Sequence, residues 1–198
     1  MLGADVAAIE TAGLVAGREA CLTVDVAASH FHVGEGQYRL DGGMETAVNL
    51  ISLYQQWVKQ YHVISLEGGL HEEAWEDWQA FAKQIGDGVM VLGDDLLCTN
   101  PERIKTAVSL GAANSLLLKV NQIGTLTEAL AALKLARQAS WRVVISARSG
   151  ETEDDWLADL ATGWAADYIK VGSITQSERL AKYNRLLELE ALHGLCLA

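Results

Sequence analysis

Six strand-like runs in this chain each end in a residue able to do chemistry. Asp25 closes Leu22-Thr23-Val24-Asp25, Glu67 closes Val63-Ile64-Ser65-Leu66-Glu67, and Asp94 follows Val89-Met90-Val91-Leu92-Gly93. Lys119 ends Leu116-Leu117-Leu118-Lys119, Ser146-Ala147-Arg148-Ser149 follows Val143-Val144-Ile145, and Lys170 ends Tyr168-Ile169-Lys170. The steps 67 to 94, 94 to 119, 119 to 146 and 146 to 170 are 27, 25, 27 and 24 residues, close to one strand–helix unit. Acids, amines, a guanidinium and hydroxyls at the carboxyl ends of consecutive parallel strands are the arrangement of a β/α barrel active site.

The segments between these tips must be the helices that position them. Residues 4–17 read as a helix carrying Val6, Ile9, Leu14 and Val15 before Gly17. His30–Val33 and Gln37–Leu40, joined through Gly34-Glu35-Gly36, read as a small hairpin excursion. Met44 to Tyr61 is a strong amphipathic pattern, with Met44, Val48, Ile51, Tyr54 and Val58 at helical spacing. A short helix holding Trp75, Trp78 and Phe81 follows Gly68-Gly69. Thr99-Asn100-Pro101-Glu102 combines a capping box with an early-helix proline, while Thr125–Glu128 and Thr152–Asp155 open the next two helices. The last helix runs from about Gln176 to His193. No composition shift or linker divides the chain, so residues 1–198 read as one α/β domain.

Six strands fall short of the eight that close a β/α barrel, and an open edge leaves backbone groups unpaired. The expected architecture is therefore an incomplete TIM-type barrel of about six strand–helix units. Composition narrows the function classes. A formal charge of −11 over 198 residues argues against nucleic acid or an anionic membrane surface as the main partner, since either would be repelled. Cys21, Cys98 and Cys196 are odd in number and widely spaced, which fits reduced thiols and a cytoplasmic protein. The first residues show no basic leader and no long apolar run, so neither a signal peptide nor a membrane span is expected.

Several stretches resemble enolase (phosphopyruvate hydratase). They are Leu116-Leu117-Leu118-Lys119-Val120-Asn121-Gln122-Ile123-Gly124-Thr125-Leu126-Thr127-Glu128, Ser149-Gly150-Glu151-Thr152-Glu153-Asp154 and Ser177-Glu178-Arg179-Leu180-Ala181-Lys182-Tyr183-Asn184. Gly93-Asp94-Asp95-Leu96 with Thr99-Asn100-Pro101, and Asp25-Val26-Ala27-Ala28-Ser29, extend the likeness along the chain. It covers the later part of the family's barrel; the family's amino-terminal domain and first two barrel strands have no counterpart in these residues. The resemblance implies magnesium-dependent dehydration of 2-phosphoglycerate to phosphoenolpyruvate, a glycolytic lyase reaction, carried by a fragment or one half of a split enzyme. A separate amino-terminal fragment would then be a partner.

The resemblance places the metal ligands at Asp25, Glu67 and Asp94, and three carboxylates on neighbouring strand tips suit a hard cation such as Mg2+. Asp95 is expected to face away. Lys119 resembles the general base that removes the proton alpha to the substrate carboxylate, and Lys170 the lysine that contacts that carboxylate. Arg148 and Ser149 resemble the pair that holds the substrate phosphate, a role suited to a guanidinium fork and a short hydroxyl. The chain departs from the family at Ala147, where an imidazole is expected, at Gly68, where an acid follows the metal-binding glutamate, and at Val171, where a threonine follows the second lysine. The family's general acid belongs to the part without a counterpart, so the chain alone is expected to turn over poorly. A non-catalytic, enolase-derived magnesium- and anion-binding protein is the alternative reading. His30, His32, His62, His71 and His193 read as structural or surface residues, and the six tryptophans as packing. An open barrel edge further predicts self-association.

Overall fold

The computed structural model describes residues 1–40, 42–86 and 88–194. After helix α1 (Leu2–Thr11) comes strand β1 (Leu22–Asp25), followed by β2 (His32–Gly34), β3 (Gln37–Leu40) and β4 (Gly43–Thr46). Helix α2 (Ala47–Tyr61) leads to β5 (Val63–Glu67), α3 (Trp75–Ile85), β6 (Met90–Gly93), α4 (Pro101–Leu110) and β7 (Ser115–Leu118). The chain continues through the short α5 (Val120–Ile123), α6 (Leu126–Gln138), β8 (Arg142–Ser146), α7 (Trp156–Gly163), β9 (Tyr168–Lys170) and α8 (Ser177–His193).

The six strands anticipated from the sequence form one sheet in the order β1-β5-β6-β7-β8-β9, every neighbouring pair parallel. The sheet curls into a half-barrel, so the fold is an incomplete TIM barrel, as the strand count requires. Leu66, Val91, Leu116, Leu118, Val143 and Ile145 belong to the main core with helix residues such as Leu50, Trp78, Phe81, Ile104 and Ala132. On the other face, Leu92, Leu117 and Val144 form a separate small cluster inside the curl.

Several boundaries differ from the sequence reading. Helix α1 stops at Thr11 rather than Gly17, because Gly13 turns into the left-handed region at φ +81°. Leu14 and Val15 lie beyond it and are exposed rather than part of an apolar stripe. The hairpin is a three-stranded antiparallel sheet, since Gly43–Thr46 pairs back onto Gln37–Leu40. Helix α2 accordingly begins after Thr46, whose hydroxyl accepts from the Asn49 N–H at 3.3 Å, and Met44 belongs to β4. Asn100, not Thr99, caps α4: its Oδ1 accepts from the Glu102 and Arg103 N–H groups. Helix α7 starts at Trp156 without a side-chain cap, and Thr152 bonds Asp154 instead of opening the helix. Thr125 does cap α6, accepting from the Glu128 N–H at 3.2 Å. Cys21 and Cys98 are free thiols, while Cys196 lies outside the described residues. Among the described residues no helix is long and apolar enough to cross a membrane.

Candidate active site

Side chains along a strand alternate between the two faces of a sheet. Thr23, Ser65, Met90 and Leu92, Val144, and Tyr168 line the space inside the curl, and Leu117 joins Leu92 and Val144 there. Counting two residues onward from Thr23, Ser65, Leu92, Leu117, Val144 and Tyr168 gives Asp25, Glu67, Asp94, Lys119, Ser146 and Lys170. Period-two alternation therefore aims every one of these side chains inward at the carboxyl end of the sheet. All seven residues singled out from sequence, Asp25, Glu67, Asp94, Lys119, Arg148, Ser149 and Lys170, line one cleft of about 400 Å3.

Register sets the pairings. Asp25 stands opposite Glu67 across β1 and β5, and Ser146 opposite Lys170 across β8 and β9. The curl then brings the two edge strands' tips together: Lys170 Nζ donates to Asp25 Oδ2 at 2.9 Å and to both Glu67 oxygens at 2.8 Å. Lys119 Nζ donates to both Asp94 oxygens at 2.7 Å. Its strand end is held from the loop between β6 and α4, since the Lys119 N–H donates to Thr99 Oγ1 at 2.9 Å. Thr99 is fully buried and takes φ +55°, which a threonine adopts only when its surroundings fix it. Three acids are thus balanced by two ammonium groups.

Glu67 is 5% exposed, and its burial drives its carboxyl up to about 7. Lys170 opposes that rise, while the charges of Asp25 and Asp94 add to it. For Lys170, burial works to lower the ammonium, but the hydrogen bonds and charges of Glu67 and Asp25 outweigh it and hold it above the ordinary lysine range. Asp95 is absent from the cleft lining, and burial followed by the Asp94 charge raises its carboxyl.

No three histidine, cysteine or acidic residues among those described are gathered into a ready-made metal cluster. The donor chemistry nevertheless fits a hard divalent cation. Carboxylate oxygens from three strand tips face one cleft, one of them raised chiefly by its burial, and an ammonium stands in as the cation between Asp25 and Glu67.

The departures from the family also find their places. Ala147 lines the cleft between Ser146 and Arg148, with its N–H bonded to the Lys170 carbonyl at 2.9 Å, so no imidazole enters there. Gly68 has φ +57°, and a Cβ there would meet the Ala27 backbone at 3.3 Å, so a side chain at this position would be strained as well as crowded. Val171 is buried at the base of the cleft. Of the histidines, His32 and His71 stack with ring centroids 4.1 Å apart, away from the cleft. Burial and then the His71 charge lower the His32 imidazole.

The sequence reading missed part of the lining. Gly172, Ser173, Gln176 and Arg179, from the turn after β9 and the start of α8, complete the wall. For Arg179 the signal was the run from Ser177 to Asn184, in which Arg179 and Lys182 recur on one helix face and are buried; Gly172, Ser173 and Gln176 carried none.

A family model for the carboxy-terminal TIM barrel domain of enolase matches residues 2–195. The match spans nearly the whole chain, and the chain belongs to this family.

Proposed function

From membership of the enolase carboxy-terminal barrel family, we propose that this chain carries the base and the anion-holding side of an enolase-type dehydration of 2-phosphoglycerate to phosphoenolpyruvate. The observation that carries the reading is the convergence of Asp25, Glu67, Asp94, Lys119, Arg148, Ser149 and Lys170, drawn from six strand ends, on one cleft.

In this reading Lys119 takes the proton alpha to the substrate carboxylate. A lysine does so only as the free amine, so its ammonium must leave the Asp94 carboxylate that now holds it with two 2.7 Å bonds. Lys170 stays charged, as its raised position dictates, and pairs with the substrate carboxylate in place of Asp25 and Glu67. The Arg148 guanidinium and the Ser149 hydroxyl grip the phosphate. Asp25, Glu67 and Asp94 would hold a magnesium ion, which when bound supplies positive charge that stabilises negative charge growing on the substrate carboxylate.

The cleft's acids, among the described residues, are these same three carboxylates. In this reading an acid for the leaving hydroxyl would come from an amino-terminal enolase segment, and these residues by themselves turn over poorly. Ala147 favours a second reading, in which the cleft binds magnesium and a small phosphorylated carboxylate without converting it. A reduced cytoplasmic setting suits the free thiols of Cys21 and Cys98.

The test is phosphoenolpyruvate formation from 2-phosphoglycerate with magnesium, by the chain alone and with an enolase amino-terminal fragment added. Activity that appears with the fragment and is lost in Lys119→Ala supports the catalytic reading. Magnesium-dependent binding of 2-phosphoglycerate with no turnover in either mixture supports the second.

A further inference from the structure

Three side chains of α8, at positions 179, 182 and 183, share one helix face and reach into the loops after β8 and β9. Arg179, 8% exposed, donates from Nη1 to the Arg148 carbonyl at 2.8 Å and the Val171 carbonyl at 3.1 Å, and from Nη2 to the Ser149 carbonyl at 2.8 Å. Lys182, completely buried, lies 3.0 Å from Glu151 Oε2 and donates to the Thr152 carbonyl. The other Glu151 oxygen accepts from the Arg148 N–H at 2.8 Å. Tyr183 donates its hydroxyl to the Gly172 carbonyl at 2.7 Å. Gly172, at φ +113°, leaves room for the arginine stem: a Cβ there would sit 3.3 Å from Arg179 Cδ and Nε.

Both backbone polar groups of Arg148 are thereby fixed from the same helix, the N–H through Glu151 and Lys182 and the carbonyl through Arg179. Two buried cations are a costly way to hold a helix against a sheet, because each must be stripped of water and then satisfied in full. An apolar face would pack there at lower cost. What the cations add is direction: a guanidinium bonded to three carbonyls fixes two loops relative to each other more tightly than apolar contact does.

We propose that Arg179, with Lys182 acting through Glu151, is a positioning residue that sets the Arg148 side chain and Ser149 hydroxyl for gripping a phosphate. The inference rests on reading the cleft as a phosphate site. Arg179 acts through the backbone, so its contribution to phosphate affinity exists only while Arg148 is present.

The experiment is calorimetric titration of the full chain with inorganic phosphate in the presence of magnesium, for wild type, Arg148→Ala, Arg179→Met and the double variant, with thermal midpoints measured in parallel. Arg148→Ala is expected to weaken binding roughly tenfold or more, and Arg179→Met on the order of tenfold, as outer partners of functional ligands commonly do. In the Arg148→Ala background, Arg179→Met should change phosphate affinity no further while lowering the thermal midpoint as much as it does alone. Glu151→Gln keeps the side-chain shape and should show a smaller loss with the same non-additivity, which serves if Arg179→Met fails to fold. Wild-type affinity in both Arg179→Met and Glu151→Gln, or losses that add in the double variant, would overturn the positioning role. Phosphate binding that ignores Arg148→Ala, or no binding by the wild type, would overturn the phosphate reading and the inference with it.

Discussion

On its outer face the curled sheet presses Leu66, Val91, Leu116, Leu118, Val143 and Ile145 into a continuous core with the helices. On its inner face Leu92, Leu117 and Val144 are the buried apolar cluster, beside a cavity of about 300 Å3 whose other walls include Thr23, Ser65, Tyr168 and Lys170. The strands repeat the contrast: β6 and β7 are buried along their whole length, whereas β1 and β9, at the two edges, are half-exposed. The outer layer satisfies itself, and burial there is what folds the chain. The inner layer is left thin, and its carboxyl end opens into the polar cleft where the charged groups stand. Chemistry sits where packing is incomplete because a substrate must displace something, and water or an ammonium is displaced more readily than a leucine.

Adjacent residues on β7 give the sharpest way to break this comparison. Leu117 and Leu118 are both fully buried, on opposite faces of one strand. Leu118→Ala opens a void in the closed outer layer and should cost about 3–5 kcal/mol of unfolding free energy. Leu117→Ala removes the same atoms from a three-residue cluster whose other members, Leu92 and Val144, line an existing cavity, so fewer contacts are lost, and its cost should be about 2 kcal/mol. Denaturant unfolding of the two variants measures both. Equal costs would mean that the lumen is packed as tightly as the outer layer.

The strand tips were legible in the sequence because Asp25, Glu67, Asp94, Lys119 and Lys170 each close or follow an apolar run and, from Glu67 onward, recur at about one strand–helix unit, which puts them at one end of a parallel sheet. Strand β4 was not legible. Met44 and Val48 fall at helical spacing, yet both are exposed, and the residues that α2 buries are Ala47, Leu50, Ile51 and Tyr54. Which lysine meets which acid was also beyond reach, since Lys170 and Asp25 are separated by 145 residues and meet only through the curl. The hold of α8 on Arg148 escaped for a different reason: its bonds run to backbone carbonyls, and no residue pattern encodes which carbonyl a guanidinium will find.

A second, smaller effect tests whether the lumen is short of positive charge. The Glu67 carboxyl keeps its proton in the folded chain to about pH 7, against an ordinary 4.5 when unfolded. Between those values the folded state holds more protons, so stability falls as pH rises from 4.5 to 7 and then levels off. Glu67→Gln cannot ionise. It should match wild type near pH 4 and exceed it by on the order of 2–3 kcal/mol at pH 8. Unfolding curves across that range read the difference directly. A variant less stable than wild type at pH 8 would show that the Lys170 pair outweighs the cost of burying the charge. Saturating magnesium should shrink the gap by stabilising wild type alone.

The smallest expected change in stability lies at the sheet's edge, where the consequence is association instead. Strand β9 has no neighbour beyond it among the described residues, and Tyr168 on it is 42% exposed at the mouth of the lumen cavity. An edge strand offers unpaired N–H and carbonyl groups to any other extended segment, and an exposed aromatic ring adds apolar area to the encounter. The net charge of −11 opposes contact between copies at long range, but added salt screens it within about 10 Å at 0.1 M. The chain should therefore associate more strongly as salt is raised. Tyr168→Lys places a charge on the edge, the device by which sheet proteins keep their edges apart. It should alter unfolding free energy by no more than about 0.5 kcal/mol, since the ring makes no part of the outer core. It should nevertheless shift the population in sedimentation velocity toward monomer at every salt concentration. If Tyr168→Lys associates as the wild type does, copies meet through some other surface, and the open edge is protected by its own curl.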